Sequence, residues 1–237
     1  MTRTPLRVIC GIAAALATTL ATVIALVALG PAATADQPEG YGPIHPFDDS
    51  IMPDDGPQPK VTGHQALILR TTHGYRFISG AQGARLRIKV VGDRLRFRDT
   101  GLWSWKSLPD SCRKVRVSPG KAASCAIPDG ASTDDPVLLE IRPRLGNDRV
   151  DGRGLPARFQ MAVLSDAGRD TVFGGRGNDY LGGATDGDRL FGGAGKDWIR
   201  GGDGRDRING GMHGDWLVGM AGKDRIKGGA GADRVFK

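Results

Sequence analysis

The sequence predicts an all-β fold, on three observations. A nine-residue unit recurs eight times without a gap from Ser165 to Phe236. Short runs of alternating apolar and polar residues fill the region before it, from about residue 66 to residue 142. Gly, Asp and Pro punctuate both regions at the spacing of turns between short strands. At 237 residues the chain has room for one or two domains.

The first 35 residues read as a secretory signal. Arg3 and Arg7 precede an uncharged run from Val8 to Gly30, and small residues follow at Ala33 and Ala35, which places cleavage after Ala35. The run is long enough that an uncleaved membrane anchor is the alternative. Cleavage leaves no stable membrane span and an extracellular or cell-surface protein. It also leaves 31 cations against 26 acids, a net charge of +5, which tolerates anionic surfaces without identifying one. Residues 36–64 contain six prolines and few apolar groups, and read as an extended linker. His45 and His64 lie in it without a second ligand at metal spacing, and both are expected to be solvated.

Residues 65–145 are expected to form a small β-rich module, with strands at "ALILR", "YRFIS", "ARLRIKVV", "DRLRFR" and "PVLLEIR". The stretch "RLRIKVVGDRLRFR" predicts a hairpin turning at Gly92-Asp93. Leu86, Ile88, Val90, Leu95 and Phe97 face a core, and Arg85, Arg87, Lys89, Arg94, Arg96 and Arg98 face out. Six cations on one face could grip a polyanion, the alternative being a solvated sheet face. Removal of Cys10 with the signal leaves Cys112 and Cys125. An even pair in an oxidising compartment predicts a disulfide worth about 3 kcal/mol.

Residues 146–237 carry the repeat. Position six of every unit is aspartate: Asp170, Asp179, Asp188, Asp197, Asp206, Asp215, Asp224 and Asp233. Position eight is aliphatic throughout: Val172, Leu181, Leu190, Ile199, Ile208, Leu217, Ile226 and Val235. "GNDRV" at 146–150 is a degenerate earlier turn, with Asp148 lying 22 residues before Asp170, two repeats plus four. The pattern resembles the Gly-Gly-x-Gly-x-Asp-x-U-x repeat (U aliphatic) of the RTX, or hemolysin-type calcium-binding, family. That resemblance implies a right-handed parallel β-roll in which each unit is a calcium turn followed by a strand, alternate units lying on opposite sheets.

Elementary chemistry agrees with that implication. Turn glycines at positions one, two and four, among them Gly175, Gly177, Gly193, Gly195, Gly202, Gly204, Gly211, Gly222, Gly229 and Gly231, permit positive φ and bare carbonyl oxygens. Carbonyls plus a carboxylate suit a hard cation such as Ca2+. Stacked aspartates about 5 Å apart repel by about 3 kcal/mol per pair at intermediate dielectric, and a divalent ion converts that repulsion into a cross-link. The pairs are 170/188, 188/206 and 206/224 on one edge and 179/197, 197/215 and 215/233 on the other, so at most six ions are expected.

This chain departs from the family at position five, where Arg169, Lys196, Arg205 and Lys223 place cations beside the aspartates. Asp–Arg or Asp–Lys pairs could then stand in for part of the metal. Residues 165–237 carry 11 acids against 12 bases, and the central turns are expected to bind best. Position seven sorts by parity. Odd units carry Thr171, Arg189, Arg207 and Arg225, and even units carry Tyr180, Trp198, Trp216 and Arg234. An arginine ladder could hold phosphate or carboxylate groups, and an exposed aromatic strip could stack on sugar rings; stacking of like side chains for sheet stability is the alternative.

No enzyme motif is present: neither Gly-x-Ser-x-Gly nor His-Glu-x-x-His occurs, and His213 replaces a turn glycine, where it is expected to be solvated. An EF-hand is excluded, since its loop ends in Glu and the last Glu is Glu140. The expectation is a non-enzymatic secreted calcium-binding protein whose roll folds on meeting extracellular calcium. The alternative is a module that binds anionic or polysaccharide cell-envelope material, with calcium purely structural; no nucleic-acid partner is expected.

Overall fold

The structure, a computed structural model, describes residues 61–80 and 83–237. The signal, Cys10, His45 and most of the linker lie outside the described residues. No helix among the described residues is long and apolar enough to cross a membrane.

Every regular element among the described residues is a strand. The first part of the chain contributes β1 (Gln65–Arg70), β2 (Gly74–Ser79), β3 (Arg85–Val91), β4 (Arg94–Asp99), β5 (Ser104–Ser107), β6 (Cys112–Val115), β7 (Lys121–Ala126) and β8 (Val137–Arg142). The second contributes β9 (Arg149–Asp151), β10 (Phe159–Leu164), β11 (Thr171–Phe173), β12 (Tyr180–Thr185) and β13 (Arg189–Ala194). It continues through β14 (Trp198–Gly204), β15 (Arg207–Met212), β16 (Trp216–Gly222), β17 (Arg225–Ala230) and β18 (Arg234–Phe236).

Two nine-stranded sheets result, in the orders β18-β16-β14-β12-β10-β8-β2-β1-β5 and β17-β15-β13-β11-β9-β3-β4-β7-β6. Alternate repeat strands fall on opposite sheets, as the 18-residue coil requires. The registers are those of an 18-residue step: Leu181 pairs with Ile199 and Ile199 with Leu217, while Val172 pairs with Leu190 and Leu190 with Ile208. The parallel solenoid has about six turns over residues 137–236, more than the four that eight units make, because β8, β9 and β10 add to the stack before the repeat begins. The four extra residues between Asp148 and Asp170 fall between Asp151, which pairs with Phe173, and Ala162, which pairs with Tyr180.

One hydrophobic core runs the length of both sheets, from Ala66 and Phe77 through Met161 to Leu217. Position eight supplies the roll's share: Val172, Leu181, Leu190, Ile199, Ile208 and Leu217 are all 2 % exposed or less. Burial of each such side chain contributes about 1.5–3 kcal/mol. Ile226 is half-buried and Val235 exposed, because β17 and β18 are the terminal strands of their sheets.

The antiparallel strands are continuous with the roll at both sheets. Parallel pairing of β2 with β8 and of β3 with β9 joins them, so neither sheet breaks near residue 145. Across the first junction, Arg76 donates to Glu140 at 2.6 Å, both side chains buried. The β3–β4 hairpin turns at Gly92-Asp93 with Val91 opposite Arg94, and Gly92 takes the positive φ of 62° that this turn needs. Cys112 and Cys125 are register partners on β6 and β7 and form the disulfide. Contrary to expectation, His64 is not a solvated linker residue; its ring stacks on Trp103 at 4.2 Å and its carbonyl accepts from the Trp103 N–H.

Candidate metal centre

The position-six aspartates stand in two ladders, one on each edge of the roll. In every predicted pair the backbone N–H of one aspartate donates to Oδ1 of the aspartate 18 residues on. Asp170 donates to Asp188, Asp188 to Asp206 and Asp206 to Asp224 on one edge. Asp179 donates to Asp197, Asp197 to Asp215 and Asp215 to Asp233 on the other. These bonds are 2.7–3.0 Å long. The 18-residue coil brings all eight predicted aspartates together in this way.

The first ladder is longer than the repeat. Asp148 donates to Asp170 Oδ1 at 2.7 Å, and its own Oδ1 accepts from the Ala84 N–H at the start of β3. Asn147 Oδ1 accepts from the Arg169 N–H just as Asn178 Oδ1 accepts from that of Lys196. Asp148 and Asn147 lie outside the eight regular units, but the signal was present: Gly146-Asn147-Asp148 repeats Gly177-Asn178-Asp179. This is the degenerate earlier turn expected at 146–150.

With Oδ1 committed to the backbone, the second oxygen is what remains for a ligand. Oδ2 of Asp148, Asp170, Asp188, Asp197, Asp206 and Asp215 is buried and has no hydrogen-bond partner. Such orphans cost about 1–3 kcal/mol each when nothing satisfies them. Beside Asp188, Asp197, Asp206 and Asp215 lies a glycine at position one. A Cβ built on Gly192 would sit 2.1 Å from Asp197 Oδ2 and 2.5 Å from the Gly210 carbonyl oxygen; on Gly210 it would sit 2.1 Å from Asp215 Oδ2 and 2.6 Å from Gly228 O. The space a side chain would fill is held open for oxygens.

A hard divalent cation fits this donor set of carboxylate and carbonyl oxygens. No group of three or more His, Cys, Asp or Glu side chains converges among the described residues, so carbonyls must complete any coordination shell. The electrostatics point the same way. Burial, reinforced by neighbouring aspartates, pushes the Asp170 carboxyl up to about 8 and that of Asp188 to about 7. Burial likewise raises Asp148 and Asp179 to about 7, Asp215 to about 6, and Asp197 well above the usual range. Hydrogen bonds from the backbone offset only part of this.

Several expectations are corrected. No ion pair joins a ladder aspartate to Arg169, Lys196, Arg205 or Lys223 among the described residues; the aspartates point into the turn and the position-five side chains point out. Positive φ occurs at Gly193, Gly195, Gly202, Gly204, Gly211, Gly222, Gly229 and Gly231, but not at Gly175 or Gly177. Position one does not need it either, and is glycine for the close approach just described. Conversely, Asp166, Ala184, Asp186, His213 and Met220 adopt φ of 72–78° without being glycine, so the coil imposes the turn even where the sequence departs. His213 is exposed, as expected, and Nδ1 accepts from the Gly195 N–H at 3.1 Å.

The aromatic strip is not exposed. Tyr180 is 6 % and Trp216 8 % accessible, and Trp198 is half-buried. Tyr180 packs with Leu138 and Ala162, and Trp216 lies between Trp198 and Phe236 at ring distances of 6.0 and 4.8 Å. Strands β14, β16 and β18 stack their own aromatic neighbours there, so stacking for sheet stability accounts for the ladder. Arg189, Arg207 and Arg225 are exposed on consecutive coils, as expected.

The RTX calcium-binding nonapeptide repeat matches the chain in four copies, over residues 164–188, 182–212 and 213–236. No curated protein and no solved structure matches it. The register, the aspartate ladders and this match agree: residues 164–236 carry RTX calcium-binding nonapeptide repeats folded as a parallel β-roll.

Proposed function

We propose that the protein is exported by its N-terminal segment and that calcium, held between successive coils, drives the folding of the roll outside the cell. The carrying observation is the row of buried Oδ2 atoms without a donor. These oxygens face no donor within the protein, and the stacked ionised carboxylates repel one another. With an ion between coils, each orphan oxygen gains a partner and adjacent coils are cross-linked. Asp170, Asp179, Asp188, Asp197, Asp206, Asp215, Asp224 and Asp233 are the proposed carboxylate ligands, with turn carbonyls beside them. The Asp148–Asp170 rung adds a seventh position to the six pairs within the repeat.

Calorimetry and circular dichroism of the exported protein test this reading. Calcium is expected to give a binding isotherm with several ions per chain, and a chelator to remove much of the β signal. A full β signal in excess EDTA together with no calcium heat would sink it. N-terminal sequencing of the exported protein is expected to begin at Asp36; recovery of intact Met1 in a membrane fraction would favour the anchor. The role is non-enzymatic: ordering the roll is all that the proposed ligands do. The envelope-binding alternative loses its aromatic component with the burial of Tyr180 and Trp216, and rests on the cationic edge alone.

A further inference from the structure

The two edges of the roll differ in charge in a way that the repeat does not require. At position five the first edge carries Arg169, Gly187, Arg205 and Lys223, whereas the second carries Asn178, Lys196, Gly214 and Ala232. The first edge also adjoins the position-seven ladder Arg189, Arg207 and Arg225, which are direct register partners on β13, β15 and β17. Together these six cations line one cavity of about 300 Å³. Gly187 opens it: where its neighbours in the column carry long cations, it has no side chain between Arg169 and Arg205.

All six cations are exposed, and none makes an ion pair or a side-chain hydrogen bond among the described residues. Asp188 and Asp206 also line the cavity, but each turns Oδ1 to a backbone N–H of the preceding coil. Several cations elsewhere in this arginine-rich chain are held by internal partners. Arg87 and Arg153 pair with Asp151, and Arg94 donates to the Ser111 and Ser124 carbonyls. Like charges directly opposite on paired strands are destabilising. Three stacked arginines about 4.8 Å apart, with three more cations around the same hollow, are therefore short of a counter-anion.

We propose that this cleft is a binding site for an oligomeric anion bearing tetrahedral oxyanion groups, phosphate or sulfate esters, with successive groups taken by successive coils. Guanidinium forks match such groups bidentately. The parallel strands repeat the fork at a fixed step, so a chain of esters lying across the coils meets one arginine per coil. The cleft adjoins the first aspartate ladder, but the groups that take the esters are the exposed cations, while Oδ2 of Asp188 and of Asp206 is buried.

Titration calorimetry on the calcium-saturated protein tests the proposal, using a glycerol-phosphate hexamer and a heparin-derived hexasaccharide as the phosphate and sulfate probes. At least one is expected to bind one site per chain, and to weaken by roughly tenfold or more between about 50 and about 200 mM NaCl; which probe binds identifies the ester. The double substitution Arg207→Gln/Arg225→Gln is expected to weaken binding at least about tenfold. Gly187→Glu, which places a carboxylate in the gap, is expected to abolish it. Lys114→Gln/Arg116→Gln, on the other part of the molecule, is expected to leave it unchanged. Absence of heat with both probes overturns the proposal, as does equal binding by the cleft variants and the native protein. Calcium isotherms of the same variants are expected to keep the native number of ions, with affinity shifted only modestly by the changed field, so a failure of the anion site is distinguishable from a failure of the calcium reading.

Discussion

At Asp197 one carboxylate serves two neighbours. Its Oδ1 accepts from Asp179, its N–H donates to Asp215, and its Oδ2 is buried without a partner. Asp197→Ala strands the Asp179 N–H and removes a ligand from two rungs. It is expected to cost about 1–3 kcal/mol by denaturant unfolding and to lower the calcium stoichiometry. Gly192 supplies the complementary case. Gly192→Ala would push a methyl into Asp197 Oδ2 and the Gly210 carbonyl, and a loss of about 1–3 kcal/mol is expected by the same measurement. The reverse holds at Met220, which carries a side chain at φ 72°. Met220→Gly is expected to raise stability by about 0.5–1 kcal/mol, the relief of left-handed strain outweighing the extra entropy of glycine.

Strand and turn elements explain why the position-five cations do not take the place of the metal. Within a unit the turn directs the aspartate inward and the residue before it outward, so adjacency in sequence becomes separation in space. Removal of those cations is thus a purely electrostatic change. Lys196→Gln is expected to tighten calcium binding modestly, by up to about threefold, on the edge that carries Asp197, and to do so less at high salt. A calcium titration at two ionic strengths checks it; an unchanged affinity at low salt would show that Lys196 exerts no field on the site. The strand elements were largely legible: period-two alternation located β1 to β4 and β8, and the invariant aliphatic column located β11 to β18. β5, β6 and β7 were not, since Ser-, Lys- and Ala-rich runs such as "KAASCA" carry little alternation; the pairing of β5 to β1, of β7 to β4 and of β6 to β7 decides them.

Over the inner coils of the roll, the buried aspartates act as a collective acid. The carboxyls of Asp148, Asp170, Asp179, Asp188, Asp197, Asp206 and Asp215 are raised by burial in the folded chain, to about 6 at Asp215 and about 8 at Asp170. A group raised above its unfolded value stabilises the fold fully below the unfolded value and loses that contribution as pH rises through the folded one. The metal-free roll is therefore expected to be most stable near pH 4 and to weaken as pH climbs through about 6 to 8. Calcium needs the ionised form, so its affinity is expected to rise over the same window, with protons released on binding. Thermal unfolding in EDTA and in calcium across pH 4.5–8.5 reads both trends as order-of-magnitude expectations; parallel pH profiles in the two conditions would overturn them.

The sequence by itself determined the coil. A fixed nine-residue step with one acid and one aliphatic column leaves a stack of short parallel strands as the arrangement that buries the aliphatics and aligns the acids. The edge assignment of every aspartate and the i/i+18 pairing follow from that step together with the two-unit coil that the resemblance to the RTX repeat implies. Only the tertiary structure decided what touches what around that frame. It extended the ladder back to Asp148 through an irregular 22-residue coil, and buried Tyr180 and Trp216 against neighbouring strands. It also joined the earlier hairpins to the roll as one core, and gathered two separate columns of cations around Gly187. The physical reason is that periodicity fixes direction along a chain, whereas burial and charge depend on neighbours many residues away.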